Sequence, residues 1–264
     1  MTEQSRVLEC HKTMLAESCE EAFRGPDAII LYGGYGRGEG GWVRERDTWR
    51  PYNDYDVLVV GGDKPARRDL GKLRAGLARD LKIHRVDITW TNRLRLALLR
   101  PSIFSYDLKH ASTLLRGDDT VLRWVRPGPV GTLPMREAFT LFRTRLWTFL
   151  GSTMREDFGK PLADEAARFF RNQMAKATLA AVDVVLLRHG LYHHSYVERV
   201  KRIGRLPETS GDDAEWFSWA LNEKLHPNGS PLDGPAMLTH YCLLYTSDAA
   251  DDTPCVDLGG RRII

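Results

Sequence analysis

Residues Leu31–Val60 read LYGGYGRGEGGWVRERDTWRPYNDYDVLVV. A glycine-rich turn, Gly33-Gly34-Tyr35-Gly36, follows the short apolar run Asp27–Tyr32. Two aspartates one residue apart, Asp54 and Asp56, stand at the head of a second apolar run, Asp54–Val60. Side chains on a strand alternate faces, so Asp54 and Asp56 point the same way. Adjacent carboxylates repel unless a cation lies between them, and a hard divalent cation with oxygen ligands, Mg²⁺ above all, suits that pair. Gly33, Gly34 and Gly36 let backbone N–H groups approach phosphate oxygens with no Cβ in the way. A phosphate cradle beside metal-binding carboxylates is the equipment of phosphoryl or nucleotidyl transfer.

Outward from this stretch, the pattern alternates strands and helices and then becomes helical. Residues 3–24 carry apolar residues at helical spacing and stop at Gly25-Pro26. Tyr35–Val43 is expected to open a short helix, and Arg44–Asn53 to be a polar loop. Leu70, Leu73, Leu77 and Leu81 stripe a basic helix, and Ile83–Trp90 (IHRVDITW) is a third strand carrying Asp87. Ser102–Tyr106 reads as a turn, and Asp107–Arg116 as ending in a strand before Gly117-Asp118-Asp119. The Pro- and Gly-rich Arg126–Pro134 is a domain boundary. Beyond it, Met135–Leu150, Ala163–His189, Ser195–Leu206 and Asp212–His226 read as helices of a bundle, with Trp147, Trp216 and Trp219 in its core.

Composition sets the frame. The 264 residues contain 42% hydrophobic and 28% charged residues, ordinary for a globular chain and enough for two modest domains. No apolar run approaches a membrane span. The polar start MTEQSRVLEC lacks a secretory pattern, and the four cysteines are widely spaced, which together imply a reducing cytoplasm and no disulfide frame. Cys242–Ile264 (CLLYTSDAADDTPCVDLGGRRII) resembles the translated read-through of a sequencing-library adapter, so the natural protein is expected to continue differently past Tyr241. That segment carries a net charge of −2 within the chain's +3, leaving +5 on the rest. The positive charge is densest in Arg67–Lys82 and Arg199–Arg205, which favours anionic ligands but is too dispersed for a dedicated nucleic-acid binder.

The residues quoted resemble the DNA polymerase β-like nucleotidyltransferase superfamily, in its small bacterial two-domain form. Gly33 and Gly34 match its turn, Arg37-Gly38-Glu39 the Arg-Gly-Glu that follows it in many small members, and Asp54-Tyr55-Asp56 its paired carboxylates. Asp87 stands where the family has a third. The gap from Gly34 to Asp54 is longer than the family's usual spacing, so an insertion is expected around Arg44–Asn53. The resemblance implies an α+β fold, with a small mixed-sheet catalytic domain over residues 1–130 and a helical bundle domain over 131–241. Gly190–Ser195 (GLYHHS) has the form of a turn in the helical domain of small antibiotic nucleotidyltransferases.

It also implies roles. Asp54, Asp56 and Asp87 would hold two Mg²⁺ ions about 3.5–4 Å apart, with Asp87 able to take the acceptor's proton. Gly33, Gly34, Gly36 and Arg37 would meet the triphosphate of an NTP, ATP first, and Lys176 would reach its phosphates from the long helix. The acceptor would be a hydroxyl on a small molecule or a protein, with no membrane and no nucleic acid involved. Plain alternatives stand beside these roles. Asp54 can simply cap a turn, Asp87 can be an edge residue, and Arg37 and Lys176 can be solvated. Glu39 has no evident role. Arg188-x4-His193 resembles the short motif of HEPN ribonucleases, although His193 can equally be a turn residue. Two other readings are an antitoxin-like or regulatory protein acting on a partner, and an inactive nucleotide-binding module.

Overall fold

The computed structural model describes residues 2–154 and 161–239. The adapter-like segment, with Cys242 and Cys255, lies outside the described residues. The fold is α+β: a four-stranded mixed sheet with helices on both faces, followed by a set of packed helices.

Helix α1 (Glu3–Phe23) starts on a Thr2 cap and ends at Arg24 in the left-handed region. Strand β1 (Pro26–Tyr32) then runs into a single helical turn, α2 (Gly33–Gly36). Strands β2 (Trp42–Glu45) and β3 (Thr48–Pro51) form a two-stranded hairpin. Next come β4 (Tyr55–Gly61), α3 (Arg67–Asp80), β5 (Val86–Thr91), α4 (Arg93–Ala97), α5 (Ile103–His110) and β6 (Thr113–Gly117). Two short 3₁₀ turns lead to α6 (Met135–Thr153), α7 (Asp164–Arg188), α8 (Tyr196–Ile203) and α9 (Gly211–Leu225). No helix among the described residues is long and apolar enough to cross a membrane.

The sheet order is β5-β4-β1-β6, with β4 and β5 parallel and the other pairs antiparallel. The apolar runs of β1 and β4 are buried on both faces. Ile29, Leu31, Val57 and Val59 pack under Leu15, Cys19 and Phe23 of α1 and Leu70 and Leu77 of α3. Ala28, Ile30, Leu58 and Val60 pack under Leu96 of α4 and Leu108 of α5. The single-residue alternation of a strand divides these two sets. Asp56 shares the second face, one step beyond Leu58, where the apolar cover ends.

Three local expectations are corrected. No helix runs over Tyr35–Val43: helical geometry ends at Gly36, and Trp42-Val43 enters β2. Arg44–Asn53 is not a polar loop but the hairpin, whose paired residues Glu45 and Thr48 leave only Arg46-Asp47 as the turn. Arg46 takes a positive φ of 54°, which fits a tight two-residue connection, and Trp42, Val43 and Trp49 are strand formers. Ser102 is no mere turn residue. It and Ser105 form a reciprocal capping box that starts α5. In the helical part, Trp216 and Trp219 stack at 4.4 Å beside the Phe149–Phe170 core, as expected. Trp147 is instead 74% exposed, because it lies on the face of α6 turned away from α7.

Candidate functional site

The site lies at the end of the sheet where β1 stops and β4 begins. Asp56 is the second residue of β4, and its register partners are Tyr32 on β1 and Asp87 on β5. Parallel pairing therefore sets the Asp56 and Asp87 side chains next to each other on one face. Asp54 is solvent-exposed and stands one residue ahead of the strand.

Gly33 has a φ of +67°, and a Cβ there would stand 2.2 Å from Asp56 Oδ2. Only a glycine lets the turn lie against this carboxylate. At Gly36 a Cβ would meet the Leu31 carbonyl oxygen at 2.4 Å, so this glycine folds the turn back onto β1. Gly34 has room for a Cβ, with Lys224 Nζ at 3.7 Å.

Burial, together with the charges of Asp87 and Asp54, pushes the Asp56 carboxyl up to about 6, and Arg145 and Arg37 oppose the shift weakly. Asp87 is the register partner of Asp56 and Asp54 stands two residues ahead of it, which gathers the three acids at one end of the sheet. Cations face them from the helical side. Lys176 of α7 lines a cavity together with Asp54. Its ammonium is pushed down to about 8 by burial and by Arg145 of α6, against the pull of Asp54 and Asp56. Lys224 of α9 is buried behind the glycine turn and donates to Asn53 Oδ1 at 3.0 Å. Burial and the neighbouring Lys176 push its ammonium down to about 7.

The turn is wired to the helices by Arg37 and Glu39. Arg37 donates from Nε to the Gly33 carbonyl (3.0 Å) and from Nη1 to the His194 carbonyl (2.8 Å), and pairs with Asp107 (3.2 Å). Its guanidinium is thus engaged within the protein rather than aimed at open space. Glu39, 9% exposed, accepts from Ser195 Oγ (2.6 Å), Tyr196 N (2.7 Å) and Val197 N (3.2 Å). It caps the first turn of α8, where a carboxylate is favoured by the unpaired N–H groups. The Tyr192–Ser195 turn belongs to the same junction. Tyr192 donates to Asp107 at 2.9 Å, and Ser195 caps α8 through Glu198 N. His193 is half-buried, with Nδ1 accepting from Ser195 N at 3.1 Å, and Arg188 is exposed at the end of α7.

Whether these residues suit Mg²⁺ turns on the donor set. Asp54, Asp56 and Asp87 supply only hard carboxylate oxygens, and Asp56 is repelled by the other two, which a cation between them would relieve. Asp87 also receives Arg85 at 2.7 Å. Among the described residues no three of His, Cys, Asp and Glu form a ready cage for an ion. Mg²⁺ commonly binds through one or two carboxylates with water and substrate phosphates completing the shell, so the open set fits it.

Arg145, Lys224, Asn53 and the cap formed by Glu39 were not legible as site parts. A lone Lys or Asn on a helix or loop has no motif, and only packing brings α6 and α9 to the turn.

No family model matches this chain, and no curated protein matches it. Among solved structures, a toxin–antitoxin complex with AMP-PNP aligns over 55% of this chain and 98% of its own, at 14% identity and a TM-score of 0.30. A tri-AMPylated Shewanella oneidensis HEPN toxin in complex with MNT antitoxin aligns over 56% and 99%, at 12% identity and a TM-score of 0.29. A MntA–HepT toxin–antitoxin structure aligns over 55% and 98%, at 10% identity and a TM-score of 0.28. Likenesses this weak carry no functional weight.

Proposed function

We propose that this chain is a metal-dependent nucleotidyltransferase that moves a nucleoside monophosphate from an NTP, ATP first, to an acceptor hydroxyl. One observation carries the reading. Asp56 is half-buried beside Asp87 and Asp54, presses against Gly33 at positive φ, and is faced by Lys176 and Arg145. Like charges gathered at a glycine turn, with cations opposite, match a site for a metal-bound triphosphate.

In the proposed reaction the acceptor oxygen forms a bond to the α-phosphorus. The bond from that phosphorus to the bridging oxygen breaks, and pyrophosphate leaves with the electron pair. The hydroxyl proton passes to the Asp87 carboxylate. Asp54 and Asp56, with Asp87, would hold Mg²⁺, which supplies charge neutralisation on the phosphates and acidifies the hydroxyl. Backbone N–H groups of the Gly33–Gly36 turn orient the phosphates, and Lys176 and Arg145 stabilise charge building on the leaving group. Arg37 serves this site by holding the turn. Residues 1–130 act as the catalytic unit and 131–241 as the helical unit that closes over it.

The test is pyrophosphate release from labelled NTPs with Mg²⁺ and an acceptor panel. Asp54→Asn and Asp56→Asn should each abolish release while circular dichroism stays unchanged; full activity in either variant sinks the proposal. The Arg85–Asp87 ion pair favours a second reading, a nucleotide-binding module whose third carboxylate is occupied. Tight NTP binding by the wild type, with no release that Arg85→Ala restores, would favour it.

A further inference from the structure

A cavity of about 580 Å³ opens on the Asp54 side of the carboxylates, between the end of β3, the end of α3 and the outer face of α7. Its size is that of a small-molecule site. We infer that this cavity is the acceptor subsite and that it takes a small hydroxyl-bearing anion, a phosphate ester or a carboxylate, rather than a polycation. The inference rests on the nucleotidyltransferase reading above.

Asp54 and Lys176 are part of its lining, so a ligand hydroxyl beside them lies next to the proposed reacting centre. Asn172 of α7 lines the wall and is 1% exposed. Its amide N–H donates to the Glu223 carbonyl at 3.3 Å, which ties this part of the wall to α9.

The outer rim is cationic. Arg79, Lys82 and His84 stand together where α3 hands over to β5, all solvent-exposed. Arg79 shares its Nε with Asp80, and among the described residues lining the cavity the acids are Asp54 and Glu165. Glu165 is already bound by Arg168 at 2.7 Å and by Tyr52 OH at 3.2 Å. A polycationic acceptor would find no free carboxylate at the rim and would meet like charge there. An anion meets Lys82, Arg79 and His84 while its hydroxyl lies toward Asp54 and Lys176.

Calorimetric titration tests this on the full chain, saturated with Mg²⁺ and a non-hydrolysable NTP analogue. The probes are a panel of three- to six-carbon hydroxylated phosphate esters and carboxylates, led by glycerol 3-phosphate, against aminoglycosides as hydroxylated polycations. At least one anion should bind saturably. The double variant Arg79→Glu/Lys82→Glu should weaken that binding by about tenfold, as for a two-charge reversal at a wet rim, with affinity for the NTP analogue unchanged. Tighter binding of the polycations, binding by neither class, or anion binding untouched by the charge reversal would each overturn the inference. Failure of the wild type to bind the NTP analogue would instead strike the nucleotidyltransferase reading.

Discussion

Asp183 is a buried carboxylate and Asp56 a half-buried one, and desolvation pushes both up. Their neighbours differ. Asp183, on α7, receives both oxygens' worth of bonding from Arg199 Nη1 at 3.0 Å, and Arg199 is itself 2% exposed. Arg199 Nη2 also reaches Asp107 at 3.3 Å and the Tyr192 hydroxyl. This cluster pairs each acid with an arginine, Asp107 also with Arg37, and pins α7, α8 and α5 together. Around Asp56 the strongest charges are Asp87 and Asp54, of its own sign, and none of the described side chains forms an ion pair with it. Burial of a charge therefore does not mark a functional site. The sign of what surrounds the charge does.

Breaking each carboxylate's surroundings should give opposite results. Arg199→Leu strands Asp183, while Asp107 keeps Arg37 and Tyr192, and should cost about 3–5 kcal/mol in urea unfolding. Asp56→Asn should leave stability unchanged or raise it near neutrality. The Asp56 carboxyl is raised in the fold from 3.8 to about 6, so its stabilising contribution is complete below 3.8 and is lost as pH climbs through about 6. Asparagine removes that loss. Equal destabilisation by the two variants would erase the contrast.

A smaller effect is expected at the junction between the two regions. Glu39→Gln keeps the shape but removes the charge that caps α8, and should cost about 1–2 kcal/mol in thermal unfolding. If the cap also holds the glycine turn in place, affinity for the NTP falls with it; an unchanged affinity would separate the cap from the site.

The mildest test needs no mutation. Asp56 gains charge above about 6 and Lys176 loses its proton above about 8. Binding of Mg²⁺–NTP should therefore be strongest between those values and weaken on both sides, with the midpoints belonging to the coupled group rather than to single residues. A profile flat from pH 5 to 9, read by equilibrium binding, would disconnect both groups from the ligand.

Much was legible in the chain because it is local. The apolar runs of β1 and β4, the glycine turn between them and the Asp-x-Asp spacing are written within about thirty residues, and each rests on backbone geometry that any neighbourhood must respect. The hairpin at Trp42–Pro51 and helix α5 were missed because weak local cues, a two-residue turn and a pair of serines, were outvoted by polar composition.

By itself the sequence determined a mixed sheet ahead of a helical segment, and two acids beside a turn that only glycine can make. The tertiary structure decided which groups meet them. Parallel pairing of β4 with β5 set Asp87 beside Asp56. Packing of α6, α7 and α9 brought Arg145, Lys176 and Lys224 from far along the chain, and turned Glu39 into the cap of α8. The physical reason is that a charge's role depends on distance and dielectric, which are properties of the assembled interior and carry no signature in residue spacing.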